Sequence, residues 1–281
     1  MRGRHVAPRT AAAGFSLVEL SLVFAIVSFL LASLLYTLSA QVDQRNFEET
    51  RRRLDQAREL VLAFAITNQR LPCPARSAAT AAPVTVAGDE VLTPGTGAGT
   101  GCIGDGVTDY YGGVNGGVTL GLLPARAIGY QQVDSSGFAV DAWGNRIRYA
   151  VSGATPFNCS GSFTLPYFVN ATNLKADGIT CQPNDLLVCK SATGITAAAC
   201  GGVANQIMTQ NLVVAIIFST GKNGATGGTG PDESKNLDGN ATFVYHTPTP
   251  STAANGEFDD QFTWITVGEL YGKLIAAGVL P

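Results

Sequence analysis

From Phe15 to Ala40 the chain carries a single charged side chain, Glu19, and neither Pro nor Gly. Wound as a helix this run would measure about 39 Å, against a bilayer hydrocarbon core of about 30 Å. It must therefore meet lipid or other apolar surfaces. Arg2, Arg4 and Arg9 precede it with no acid among them, which predicts that residues 1–14 stay in the cytoplasm and that the bulk of the chain is exported.

A cleaved secretory signal places small residues after an apolar region of about 7 to 15 residues. Here Ala11, Ala12, Ala13 and Gly14 come before the run, and the later "TLSA" ending at Ala40 has Leu38 where a small residue is wanted. A plain signal anchor fits the length but leaves Glu19 unexplained, because a carboxylate at membrane depth costs about 2.5 to 3.5 kcal/mol on insertion scales.

"GFSLVEL" at 14 to 20 resembles the processing motif of type IV prepilins and type II secretion pseudopilins. The resemblance implies that a prepilin peptidase cuts between Gly14 and Phe15, that the new amine of Phe15 is N-methylated, and that the apolar segment is retained. It further implies that Glu19, fifth in the processed chain, faces the amine of a neighbouring subunit's Phe15 during filament assembly. Such a contact replaces lost hydration with a charge-assisted pair.

After Ala40 no Pro or Gly interrupts the chain before Arg70, and Leu54, Ala57, Val61, Phe64 and Ala65 recur at helical spacing. Glu48 and Arg52, and Glu49 and Arg53, lie four apart on what reads as a solvated face. One helix is expected from about Phe15 to Asn68, stopped by "LPCP" at 71 to 74. The domain reading is a leader at 1–14, a membrane or filament-core half-helix at 15–40, an amphipathic half at 41–69, and an extracytoplasmic head at 70–281.

The head is rich in Gly and Thr and holds six cysteines, Cys73, Cys102, Cys159, Cys181, Cys189 and Cys200, all beyond the apolar run. An even count on the exported side points to disulfides. Six cysteines allow 15 complete pairings and sequence alone does not choose; pairing of sequential neighbours is the working expectation. Loss of the three leader arginines makes the formal charge of −3 more negative by three, which disfavours nonspecific binding to nucleic acid.

Strands are expected at "IRYAV" (147–151), "FTLPYFV" (163–169), "LLVC" (186–189), "LVVAIIFS" (212–219), "TFVYH" (242–246) and "FTWITV" (262–267), with a last helix near 268–277. "DAWGNRIRYAV" at 141 to 151 is similar to a strand-opening segment of major pseudopilins. "RLPCPA", "FDDQFTWI" and the terminal "AAGVLP" resemble larger minor pilin-like proteins. In the first of these segments, Gly144 and Asn145 read as a turn and Trp143 as core.

Catalytic constellations are sparse. Beyond the leader His246 stands alone, no Gly-x-Ser-x-Gly elbow occurs, and the cysteines do not show metal-ligand spacing. Gly99, Gly101 and Gly104 match a dinucleotide fingerprint without its flanking strand and helix, and "TGKNG" at 220 to 224 has Asn223 where a phosphate loop needs Ser or Thr. Both read as turns.

One stretch, "STGKNGATGGTGPDESKNLDGNATFVY" at 219 to 245, gathers Asp232, Glu233, Asn236, Asp238 and Asn240. It reads first as a solvated turn. Its alternative is a calcium site using Asp232, Glu233, Asp238 and Asn240, since calcium takes 6 to 8 oxygens and the resemblance implies calcium in a comparable late loop of some pseudopilin heads.

The whole reading is an α+β, pilin-like fold: a long N-terminal α-helix packed on an antiparallel β-sheet head with disulfide-constrained loops. The resemblance implies a minor pilin or pseudopilin of a type IV pilus or type II secretion filament, not an enzyme, working at the bacterial inner membrane with prepilin peptidase and other pilin subunits. The rival reading is a membrane-anchored extracytoplasmic binding module or adhesin that never polymerises.

Overall fold

The computed structural model describes residues 16–77, 86–91, 102, 108–115, 118–159, 166–228 and 230–280, with side chains at 33–40, 108, 109, 115, 177 and 178 left aside. The chain divides into two compact units, Met1–Arg45 and Asn46–Pro281. Helix α1, Leu17–Asn68, runs through both.

In order follow α2 (Thr108–Tyr111), β1 (Gly113–Asn115), β2 (Val118–Leu120), α3 (Ala125–Ile128), β3 (Arg148–Val151) and α4 (Ala171–Asp177). Then come β4 (Leu187–Cys189), β5 (Gln206–Met208), β6 (Val213–Ser219), α5 (Pro231–Lys235), β7 (Thr242–Val244), β8 (Gln261–Thr266) and α6 (Val267–Ala276). The protein is mixed α and β with antiparallel sheets and three disulfides. In place of one sheet there are, among the described residues, three small ones: β1-β2, an antiparallel β3-β6-β8, and β5-β4-β7, in which β4 and β7 run parallel.

The centre of the second unit is β6, whose seven residues are all buried. Side chains alternate across a strand, so Ala215 and Ile217 join one apolar cluster while Ile216 and Phe218 join another. The first cluster also takes Leu54, Ala57, Val61, Leu62 and Ala65 of α1, Tyr149 and Val151 of β3, and Leu270, Tyr271 and Leu274 of α6. The second takes Leu186, Val188 and Phe243 from the neighbouring sheet. A strand apolar on both faces is what "LVVAIIFS" demands, because each face has something to bury against.

The helix stops where expected, Gln69 adopting a left-handed φ of 61°. Beyond it Arg70 forms a bidentate pair with Glu90, at 2.7 and 2.6 Å, and Glu90 also accepts from the N–H of Cys73 at 3.0 Å. The disulfides join Cys73 to Cys102, Cys159 to Cys181 and Cys189 to Cys200. Buried Asp185 accepts from Tyr111 Oη, Ser152 Oγ and the N–H groups of Gly153, Ala154 and Leu186 at 2.6–3.0 Å. That carboxylate holds α2, the end of β3 and the start of β4 together.

Several expectations need correction. Tyr167, Phe168 and Val169 are buried but not in a strand; residues 163–165 lie outside the described residues. Pro166 supplies no N–H for a ladder, and α4 follows at once. Trp143 is half-buried rather than core, set edge-on against Phe47 of α1 at 4.9 Å. Strand β7 ends at Val244 because the Asn236 amide takes both main-chain groups of that residue, at 2.7 and 3.1 Å, in the manner of a partner strand. Arg53, expected on a solvated face, instead reaches the carbonyls of Val140 and Asp141.

Candidate functional site

At the start of α1, Ser16 N–H donates to Glu19 Oε2 at 3.1 Å and Glu19 N–H donates to Ser16 Oγ at 3.2 Å. This reciprocal pair is a capping box, and it satisfies two of the four donors that a helix start leaves open. A carboxylate there also meets the positive end of the helix dipole. Gly14 and Phe15 lie outside the described residues.

From Leu17 to Leu31 the helix is exposed and, but for Glu19, Ser21 and Ser28, apolar all round, with Leu17 86%, Val18 75% and Phe29 77% accessible. Helices of that kind are stable when something apolar covers them. Among the described residues no helix is long and apolar enough to cross a membrane; the side chains of 33–40, which complete the apolar run of the sequence, are outside them.

The four calcium candidates of the late loop do not converge. Pro231–Lys235 is a turn of helix rather than open loop, and successive helical residues point about 100° apart. Asp232 therefore faces one way, accepting from Ala192 N–H at 2.6 Å and Asn255 Nδ2 at 3.1 Å, with His246 Nε2 at 3.1 Å. Glu233 faces another, accepting from Asn223 Nδ2 at 3.0 Å and Asp259 N–H at 3.0 Å. Asp238 pairs with Lys235 and accepts from Asn240 N–H at 2.9 Å, closing a local turn with Asn240.

Glu233 instead meets two acids of the segment that leads into β8. One carboxylate oxygen each from Glu233, Asp259 and Asp260 lies within 4.8 Å of the others, and all three residues are buried. Asp259 Oδ2 accepts from the N–H groups of Lys222 and Asn223, at 2.9 and 3.3 Å. Its Oδ1 is buried without a hydrogen-bond partner, as is Asn223 Oδ1. Asp260 Oδ2 accepts from Asn236 Nδ2 at 2.7 Å.

Crowding of like charges away from water shows in their titration. Burial, then the charge of Glu233, pushes the Asp259 carboxyl up to about 6. Asp260 is pushed well above the usual carboxylate range, by burial first and by Glu233 and Asp259 after it, with Arg148 opposing.

Beside this cluster His246 stacks on Phe258 at 4.0 Å and sets Nδ1 against Thr247 O at 2.7 Å. Both ring nitrogens thus face acceptors. "TGKNG" is a turn, Gly221 taking φ 61°; Gly99, Gly101 and Gly104 lie outside the described residues. In the sequence Asp259 and Asp260 stand within "FDDQFTWI" with no metal-ligand spacing around them. Their one local signal is a pair of adjacent carboxylates abutting a strand, which says nothing of Glu233, 26 positions away.

Comparison of the chain with protein-family models, with curated proteins and with solved structures finds no match in any of the three.

Proposed function

We propose that this chain is a filament subunit of the pilin or pseudopilin type: a long helix carrying an α+β head, anchored in the bacterial inner membrane and then withdrawn into a type IV pilus or type II secretion filament. The observation that carries the reading is the bare apolar surface of α1 over Leu17–Leu31, whose only charge is a carboxylate at the helix start. Lipid and a bundle of like helices both cover such a surface. Only the bundle gives Glu19 a specific partner, the amine of a neighbour's first residue.

The pilin-like arrangement of a long helix on a sheet is supported by the burial of Leu54, Ala57, Val61 and Ala65 with residues of β3 and β6. In this reading prepilin peptidase cleaves after Gly14 and Phe15 becomes the N-methylated first residue. Mass spectrometry of the mature protein tests the processing step, with N-methyl-Phe15 expected. Recovery of the chain in sheared filament fractions, lost in Glu19→Ala, tests assembly. A native chain beginning at Met1 or Gln41 would overturn the proposal.

A further inference from the structure

We propose that the groove between α1 and the open edge of β8 binds an extended polypeptide segment of another protein, one that carries a basic side chain and joins the sheet as a strand beside Phe262. The groove has a volume of about 450 Å³, within the range of about 300 to 1,000 Å³ typical of ligand sites. Phe47, Glu48, Arg51 and Asp55 line it from α1, and Gln261, Phe262 and Thr263 from β8. Strand β8 is an edge of its sheet.

The first observation is the direction of the main chain. In an antiparallel sheet the N–H and C=O of a residue point to one side, and those of the next residue to the other. Tyr149 N–H donates to Gly121 O at 2.8 Å, away from β6, so it is Arg148 and Ala150 that bond to β6, through their partners Phe218 and Ile216. Ala215, Ile217 and Ser219 are left to bond to β8, where they face Ile265, Thr263 and Gln261. Phe262 and Trp264 therefore turn their main-chain groups outward. The bond of Arg58 Nε to Trp264 O, at 3.1 Å, has that direction. It closes one carbonyl of the edge, and the groove lies beside Phe262, where no such arginine reaches.

The second observation is that this edge carries few of the usual defences. Exposed edges are ordinarily blunted by charge, proline or a bulge. Gln261–Thr266 contains no charged residue and no proline, and the irregularity in its pairing, between Val213 and Ala215, lies toward the other end. A helical segment would leave the outward groups of Phe262 unanswered; a strand would bond to them, and its alternate side chains would face opposite ways.

Charge then selects the occupant. Glu48 and Asp55 against Arg51 leave the helix wall one charge negative, and Asp55 is exposed. A segment placing Lys or Arg against that wall is attracted and an acidic one repelled. Phe47, Leu54 and Pro248 supply apolar ground for its other side chains.

This inference stands apart from the filament reading, since binding is measured on the purified chain whether or not it assembles. The test selects a displayed library of random nine-residue peptides on full-length protein in detergent, with excess Asp55→Lys protein as competitor to remove peptides held by the micelle or by the apolar half of α1. Glu48→Lys takes its place should that variant not fold. Enriched peptides should combine Lys or Arg with β-branched residues. A synthetic copy should bind one per chain, about tenfold more weakly in Asp55→Lys and more tightly in Arg51→Glu. It should slow amide exchange at Phe262, whereas Thr263, already bonded to β6, should be slow throughout. N-methylation of one alternate set of its amides should abolish binding and of the other set leave it.

Failure to enrich any peptide would overturn the site, as would enriched peptides without a basic residue, or binding that leaves Phe262 exchange unchanged. Slowing at Phe262 that grows with protein concentration alone would assign the groove to a second copy of this chain and overturn the partner named here.

Discussion

Arg53 Nη1, on α1, donates to the carbonyl of Asp141 at 2.6 Å and to that of Val140 at 3.2 Å, while its Nε holds Glu49 at 2.9 Å. One guanidinium thus joins the helix to the turn that opens β3. The carboxylate of the same Asp141 accepts from Ser219 Oγ and from the N–H groups of Trp143 and Asn145, so the turn is fixed from both sides.

Arg53→Met should therefore destabilise the protein by about 1 to 3 kcal/mol, the range for buried acceptors left open. Arg53→Lys should recover only part of this, because an ammonium lacks the planar fork that spans two carbonyls and a carboxylate. Denaturant unfolding monitored by Trp fluorescence checks the order, Trp143 being part of the affected turn.

Asp185→Ala should be among the most damaging single changes. It removes the acceptor of five donors, two of them hydroxyls and three main-chain N–H groups, and we expect a loss of at least about 3 kcal/mol. Asp185→Asn keeps one acceptor oxygen and should lose less. The same unfolding experiment ranks them.

The acidic cluster gives the protein a pH dependence of unusual sign. Burial and the Glu233 charge push the Asp259 carboxyl up to about 6 in the fold, above the ordinary value near 3.9 of an unfolded chain. Between those values the folded state binds more protons than the unfolded one, so stability should fall as pH rises from about 4 to about 6. Asp260, also raised, contributes in the same direction. Asp259→Asn should flatten this slope. Unfolding midpoints at closely spaced pH values, for the parent and for Asp259→Asn, measure the effect.

Removal of each disulfide as a Cys→Ala pair should cost about 2 to 4 kcal/mol. Chain entropy ranks the losses by separation, 29 residues for Cys73–Cys102, 22 for Cys159–Cys181 and 11 for Cys189–Cys200. Peptide mapping without reduction should recover these three pairs and no peptide joining Cys159 to Cys200.

At Glu19 charge and capping can be separated. Glu19→Gln retains an oxygen for Ser16 N–H and should leave helix content unchanged by circular dichroism, yet it removes the charge that a neighbour's amine would meet. Filament incorporation should then fall in Glu19→Gln as far as in Glu19→Ala. Normal incorporation of the Gln variant would show that only the cap matters.

Local pattern made the linear elements legible. The unbroken apolar and amphipathic run before "LPCP" is α1, because no Pro or Gly interrupts it, and "LVVAIIFS" is β6, because a short continuous apolar run bounded by turn residues reads as a strand buried on both faces. What could not be read is what depends on distant residues. Tyr167, Phe168 and Val169 look like strand by composition, but their burial comes from packing in the first apolar cluster, and the main-chain bond that Phe168 accepts comes from Leu71 in the loop after α1. Asp232 and Glu233 look like joint ligands in a loop; as part of α5 they turn to opposite tasks. Asp259 and Asp260 acquire meaning only when the chain returns them to Glu233.

Arg58, a little over one helical turn beyond Arg53, holds Trp264 O at 3.1 Å and the Glu269 carboxylate. The two arginines hold two distant parts of the chain, the turn before β3 and the junction of β8 with α6. A pull along the axis of α1 would load both grips together, in shear, and each would have to yield before the helix slid. Mechanically the joint is a double-bolted lap rather than a seam that peels from one edge, and its breaking force should exceed that of either arginine variant by more than their thermal stabilities alone suggest.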